Sequence, residues 1–211
     1  MTTETQMIEE LRRAVADAPP SAVAHLRLGT ALLKAGELRE AERELRAALA
    51  LDSRCAGAWV NLGGILLARW EFAASIAANR RAAAAEPGLA LAHYNEAIGH
   101  LHLGESAEAI GCLTRAVELD PKNGSAYYHL SVALQANGQT AESKLCVAYA
   151  TELGYRPDPA SLRELERAQA GAEAGPTDEE GEAQTNSQPN SQPSCTPSTS
   201  KEKHNGTTEG R

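Results

Sequence analysis

The stretch WVNLGGIL, from Trp59 to Leu66, decides the fold because its pattern recurs along the chain. Leu62-Gly63 repeats Leu28-Gly29 after 34 residues, and the sequence ALALD at 48–52 returns two periods later as AVELD at 116–120. A period of this length is typical of a solenoid that stacks similar pairs of helices. Such arrays offer a long concave surface and seldom enclose a catalytic cleft, so the period favours binding over catalysis.

Each period contains two helical patterns separated by a short turn. In the second period, Trp59, Leu62 and Leu66 fall on one face of a first helix, at the spacing of three and four residues that an α-helix requires. A second helix follows and ends before Pro87-Gly88, a strong stop signal. The chain is therefore predicted to be all-α.

This pattern resembles the tetratricopeptide repeat family, whose outline is Trp-x-x-Leu-Gly-x-x-Tyr followed by Ala-x-x-x-Phe, an Ala and a Pro. The best match runs from Trp59 to Pro87, with Leu66 in the tyrosine position. The third period departs from the outline, because Glu96 takes the leucine position and His100 takes the tyrosine position. In the second period Trp70 replaces the turn glycine that the other periods carry.

The resemblance implies a right-handed superhelical solenoid of antiparallel helix hairpins. The last helix is expected to begin with a capping box formed by Ser161 and Glu164. The polar Ser/Thr/Pro-rich end cannot bury enough apolar surface to fold. The predicted domains are an N-terminal half-repeat helix (1–20), four repeats in 21–157 (about 22–55, 56–89, 90–123 and 124–157), a C-terminal capping helix (158–170) and a disordered polar tail (171–211).

Composition excludes several classes of partner. The net charge is −8 and no Lys/Arg stripe is visible, which argues against nucleic-acid binding through phosphates. No apolar run approaches the roughly 20 residues of a membrane span. The N-terminus lacks the basic and apolar segments of a signal peptide, so we expect a cytoplasmic protein.

Catalytic and metal motifs are also missing from the sequence. The four cysteines have no metal-binding spacing, and His100 and His102 are two residues apart, so they point to different sides of a helix. There is no Gly-rich phosphate loop and no nucleophile motif. We therefore predict no catalytic residue, no metal site and no cofactor.

In the family that the chain resembles, the first helix of each hairpin lines the concave side. On these helices, a second row of residues, outside the face that packs in the core, is expected to face the groove. One position of this row carries side chains that can hydrogen-bond the backbone of an extended peptide, although the asparagines there could equally tie neighbouring helices together. The predicted peptide-binding residues are Arg27, Asn61, Leu91, Tyr94, Asn95, Ile98, Tyr128, His129 and Val132.

The sequence thus predicts a non-enzymatic adaptor or scaffold. Its groove is expected to bind an extended, largely apolar segment of a protein or peptide partner, with Tyr94 and Tyr128 as anchors. The alternative is a structural scaffold that assembles with itself, end to end or as a dimer, through exposed apolar surface such as Trp70. An enzyme is the third class and has the least support.

Overall fold

The computed structural model describes residues 3–17 and 19–173, which fold into an all-α solenoid. The predicted disordered tail lies outside these residues from position 174 onward. The last helix ends at Glu173, past the predicted boundary at 170. The helices are α1 (Thr3–Asp17), α2 (Ala22–Lys34), α3 (Leu38–Leu51), α4 (Ala56–Ala68), α5 (Phe72–Ala85), α6 (Ala90–His102), α7 (Ser106–Leu119), α8 (Gly124–Ala136), α9 (Thr140–Glu152) and α10 (Pro159–Glu173).

Helix contacts define a concave and a convex side. Four antiparallel hairpins form from α2/α3, α4/α5, α6/α7 and α8/α9. The first helices of successive hairpins also contact one another, in the order α2, α4, α6, α8 and then α10. Among the described residues, the second helices α3, α5, α7 and α9 make no such contacts with each other. The array therefore curves with its first helices on the inside.

Each hairpin closes around a small apolar core and a left-handed turn. In the first hairpin, Leu32 and Leu45 are fully buried against each other's helices. The turn residue Gly36 has φ of 80°, a conformation that glycine adopts without steric cost. Trp70 holds the same place in the second hairpin with φ of 63°, so a bulky side chain accepts strained backbone there.

In the second hairpin a glycine permits close helix approach. A Cβ atom added to Gly63 would lie 2.3 Å from the amide nitrogen of Asn79, which is fully buried. Asn79 donates to the backbone oxygen of Ser75, and the Ser75 hydroxyl donates to the backbone oxygen of Gly63 at 2.9 Å. A short polar contact thus replaces the leucine packing of the first hairpin.

The two end helices extend the array. Helix α1 packs on α2, and Arg12 reaches Glu40 on α3 through two hydrogen bonds of 2.6 Å. Helix α10 packs on α8 and α9, and Leu165 joins the last core cluster. Both helices cover apolar ends that a solenoid would otherwise expose.

The predicted capping box at the start of α10 is wrong. Asp158 caps the helix instead, because its carboxylate accepts from the backbone N–H groups of Ala160 and Ser161 at 3.0 Å. Pro159 then occupies the first helical position, where its missing N–H is not needed. A hydrogen bond with the Ser161 hydroxyl, followed by these backbone bonds, lowers the pKa of Asp158.

Candidate functional site

A cavity of about 620 Å³ opens on the concave side, in its C-terminal half. Ile98 and Leu101 of α6 form one wall, and Tyr128 and Val132 of α8 form the floor. Helix α10 closes the far side with Leu165 and its neighbours. The lining is mainly apolar, and its volume lies in the range of sites that bind small molecules or short peptide segments.

Two polar side chains in this cavity have unused hydrogen-bonding capacity. Burial lowers the pKa of His129, so its imidazole is neutral at pH 7. Its Nδ1 lies 2.8 Å from the Ser125 backbone oxygen and donates to it, which leaves Nε2 as an acceptor. The Oε1 atom of Gln135 is buried and has no hydrogen-bond partner among the described residues. Both residues line the cavity, and a rotation of the Gln135 side chain would bring its covered oxygen to a ligand.

The predicted anchors Tyr94 and Tyr128 are already engaged within the protein. The Tyr94 hydroxyl lies 2.9 Å from the Ser125 hydroxyl and 3.3 Å from His129 Nδ1. Tyr128 is 7% exposed and its ring lies 5.4 Å from that of Tyr155. Helix packing therefore occupies most of the surface that these tyrosines would offer to a partner.

The predicted asparagine ladder divides into two kinds of side chain. Asn61 donates to the Thr30 hydroxyl at 2.8 Å and so ties α4 to α2, as the structural interpretation anticipates. Asn95 is half-buried on α6 and makes no side-chain hydrogen bond within the described residues. Arg27 is exposed and Leu91 is 48% exposed, both outside the cavity. Of the nine predicted residues, the cavity brings together Ile98, Tyr128, His129 and Val132.

A second polar cluster lies between α6 and α7, away from the cavity. The donor atoms of Glu96, His100 and Cys112 all lie within 4.8 Å of one another. Arg80 of α5 donates to Glu96 Oε1 at 2.7 Å, and its guanidinium lies 3.2 Å from His100 Nε2. His100 Nδ1 lies 2.5 Å from the Glu105 carboxylate. The cluster joins three helices and the α6–α7 turn.

Burial raises the pKa of the Cys112 thiol to about 12, and the neighbouring Glu96 carboxylate adds to this shift. The thiol is therefore protonated at pH 7 and donates to Glu96. Glu96 takes a leucine position of the repeat and is 7% exposed. The Arg80 guanidinium balances the charge of the Glu96 carboxylate, and the protonated thiol adds no charge to the cluster.

Sequence reasoning missed this cluster. Along the sequence, His100 lies beside His102, which faces another direction, and the cysteines have no metal-binding spacing. The usable signal was the pair Glu96 and His100, four residues apart on one helical face and both in apolar positions of the repeat. Cys112 joins them through hairpin packing.

None of the helices within residues 3–17 and 19–173 has the length and apolar character needed to cross a bilayer.

Comparison with solved structures places the fold among known solenoids. The crystal structure of MamA is 23% identical, covers 73% of this chain and 95% of that chain, and has a TM-score of 0.64. YrrB, described as a TPR protein with an unusual peptide-binding site, is 22% identical, covers 79% and 84%, and has a TM-score of 0.68. PilF of Pseudomonas aeruginosa is 21% identical, covers 80% and 81%, and has a TM-score of 0.67. At sequence identities this low, the similarity to these structures shows a shared fold and nothing about function.

No curated protein sequence matches the chain significantly. Models of the tetratricopeptide repeat match residues 26–90, 90–123 and 112–144. These matches together span residues 26–144, more than half of the chain, and the hairpins they cover stack in the observed solenoid. The chain therefore belongs to the tetratricopeptide repeat family.

Proposed function

We propose that this protein is a non-enzymatic adaptor that holds an extended, largely apolar segment of a partner protein in its concave groove. The observation that carries the proposal is the cavity between α6, α8 and α10, whose apolar walls surround unused polar groups. The description of YrrB, which shares the fold, as a peptide-binding protein supports the same class of ligand.

The cavity chemistry defines how such a segment binds. Apolar partner side chains pack against Ile98, Leu101 and Val132, where burial of apolar surface stabilises the complex by roughly 25 cal/mol per Å². The peptide backbone supplies the missing hydrogen-bond partners: one N–H donates to Gln135 Oε1 after that side chain turns toward the cavity, and another donates to His129 Nε2. An acidic side chain gains nothing from His129, because the imidazole is neutral.

Residues outside the cavity extend the proposed path of the peptide. Asn95 has a free amide one turn before Ile98 and can bond the backbone of the next partner residues. Leu91 and Arg27 lie farther along the concave side and are exposed. Asn61 contributes less than the sequence predicts, since its amide nitrogen is bound to Thr30. Tyr94 and Tyr128 act mainly as rigid walls.

The test begins with peptides selected on the full chain from a random-sequence library. Their affinities are then measured for two variants, Val132→Asp and Gln135→Leu. Val132→Asp places a charge in the apolar floor, and Gln135→Leu removes the unpaired amide without leaving a buried polar group. We expect affinity to fall at least about tenfold in each variant, which corresponds to roughly 1.4 kcal/mol.

Leu145→Asp is the matched control, because Leu145 is 56% exposed on α9, a second helix that lies outside the groove. It should leave peptide affinity unchanged. Thermal unfolding of each variant shows whether lost binding reflects lost structure. Peptides that bind all of these folded variants equally well would place the interaction on another surface and refute the proposal.

A second candidate function, self-assembly, has one specific observation in its favour. Trp70 is 73% exposed although it occupies a strained left-handed turn, and its ring lies 5.8 Å from that of Phe72. A large apolar ring in that place suits a contact with another copy of the chain. Light scattering of the full chain and of Trp70→Gly tests this. An oligomer that Trp70→Gly dissociates favours self-assembly, whereas a monomer at all concentrations excludes it.

A further inference from the structure

We propose that Glu96, His100 and Cys112 form a binding site for one transition-metal ion, and that Zn²⁺ suits their donors best. The three residues offer one carboxylate oxygen, one imidazole nitrogen and one sulfur. Zn²⁺ binds all three donor types and accepts three protein ligands with a water in the fourth position. This site lies between α6 and α7 and is independent of the concave cavity.

The spacing of the donor atoms fits a tetrahedral ion. His100 Nε2 lies 3.7 Å from Glu96 Oε1. Ligand bonds of about 2.0–2.2 Å at the tetrahedral angle separate two such atoms by roughly 3.4 Å. The Cys112 sulfur is within 4.8 Å of both, so a small side-chain rotation completes the set.

The imidazole of His100 is oriented for metal binding. Its Nδ1 lies 2.5 Å from the Glu105 carboxylate, which holds the ring proton on that nitrogen. Nε2 then keeps a lone pair that can bind a cation, as its contact with the Arg80 guanidinium shows. A carboxylate that accepts from the outer nitrogen of a metal-binding histidine fixes its tautomer and raises its basicity. His100 is 4% exposed, so this orientation is firmly held.

A positive group already occupies the proposed metal position. The Arg80 guanidinium donates to Glu96 Oε1 and contacts His100 Nε2, the two atoms that would bind the ion. Its side chain is 60% exposed, so it can leave for solvent without unfolding the hairpin. Arginine and metal therefore compete for the same carboxylate and the same lone pair.

Charge balance is preserved when the metal replaces Arg80. The ion carries two positive charges, which the Glu96 carboxylate and a Cys112 thiolate neutralise. Cys112 loses its proton to solvent as the metal binds. The departing Arg80 takes its own charge into water, where it needs no partner.

The experiment is a titration of the full chain with Co²⁺, followed by displacement with Zn²⁺. Cys195→Ser and His204→Ala are introduced as the background, because these residues lie outside the described part and carry competing donors. We expect one equivalent to bind, with a thiolate-to-cobalt charge-transfer band and visible bands of tetrahedral intensity. Zn²⁺ should abolish both.

Three variants distinguish a metal-binding site from a cluster that only forms internal ion pairs. Arg80→Gln should tighten binding, because it removes the competing cation. Glu105→Gln should weaken binding by about 10–100-fold, since it removes the partner of the imidazole. Cys112→Ser should abolish the charge-transfer band. Cys55→Ser is the matched control, because Cys55 is also half-buried but lies in another repeat, and it should change nothing.

The variant His100→Leu tests whether a loss of metal binding could instead result from misfolding. It restores the apolar residue type found at the equivalent position of other repeats, so it should fold well and lose the metal. Absence of the thiolate band in both the background chain and Arg80→Gln would overturn the proposal. Binding that survives Cys112→Ser and His100→Leu would overturn it as well.

Discussion

The third and fourth hairpins place opposite chemistry at equivalent positions. Glu96 and His100 in the third correspond to Leu130 and Leu134 in the fourth, one period of 34 residues later. All four side chains are buried, at 7%, 4%, 1% and 0% exposure. The helices have nearly the same lengths in both hairpins. The backbone of the repeat thus accepts either an apolar or an ionisable pair.

The difference teaches that a polar core depends on partners outside the pair. Arg80 and Glu105 surround the polar pair of the third hairpin and satisfy its charges and ring nitrogens. One period later, the equivalent residues beside the fourth hairpin's pair are Thr114 on α7 and Gln139 before α9, and neither carries a charge. Hydrogen-bonded charges are tolerated in a core, whereas unpaired ones are not.

Transplanting the pair should have the largest effect. Leu130→Glu combined with Leu134→His would bury ionisable groups in the fourth hairpin without a charged partner. We expect a loss of about 4 kcal/mol or more in the free energy of unfolding, measured by urea denaturation followed by circular dichroism. A loss below about 1 kcal/mol would show that the fourth hairpin tolerates unpaired polar groups and would break the comparison.

The reverse exchange should have a smaller effect of opposite sign. Glu96→Leu combined with His100→Leu gives the third hairpin the apolar pair of the fourth. Replacing a buried ionic group with well-packed apolar residues is often neutral or stabilising by about 1–4 kcal/mol. Chemical denaturation in the absence of metal measures this change. A strong destabilisation would instead show that the ionic cluster holds the hairpin together.

The second hairpin sharpens the comparison, because it also buries a polar side chain, Asn79, and a glycine makes the room for it. Gly63→Ala should destabilise by about 1–3 kcal/mol, since the added Cβ meets the buried Asn79 amide. Gly64→Ala is the control, because no atom lies within 4 Å of its added Cβ and alanine favours the helix by about 1 kcal/mol. Equal melting temperatures for the two variants would contradict the close-contact explanation.

The smallest effect should come from the polar residue on the groove side of the fourth hairpin. Burial lowers the pKa of His129 from 6.5, so the unfolded chain takes up the proton at higher pH than the folded chain. The free energy of unfolding must therefore fall as pH drops below about 6.5. His129→Asn should flatten this part of the curve, measured by denaturation between about pH 7 and about pH 5. An unchanged curve would show that His129 titrates alike in both states.

Much of the fold could be predicted because helical repeats are encoded locally. Phe72 and Pro87 in the sequence indicate the boundaries of α5. Glycine at the turn positions indicates a left-handed backbone conformation there. The residue that caps α10 was predicted wrongly, because Ser161 and Glu164 fit a capping pattern as well as Asp158 does. Only the position of the chain entering the helix decides which side chain reaches the free N–H groups.

The candidate site was less accessible to sequence reasoning. Ile98, Tyr128, His129 and Val132 fall on the predicted groove face, because helical periodicity groups them and the family resemblance implies that the first helices line the groove. Gln135 was not predicted as a binding residue, since its unpaired oxygen depends on what packs around it. Tyr128 was predicted as an anchor, but its low exposure and its ring contact with Tyr155 depend on tertiary packing.

The sequence by itself determined the period, the all-α class and the face of each first helix, because these depend on residues a few positions apart. Tertiary structure alone decided that Asn61 is bound to Thr30, that α10 closes the groove, and that Cys112 meets Glu96 and His100. These contacts join residues from different helices. Their chemistry depends on distances of a few ångströms, which are fixed only when the hairpins pack and stack.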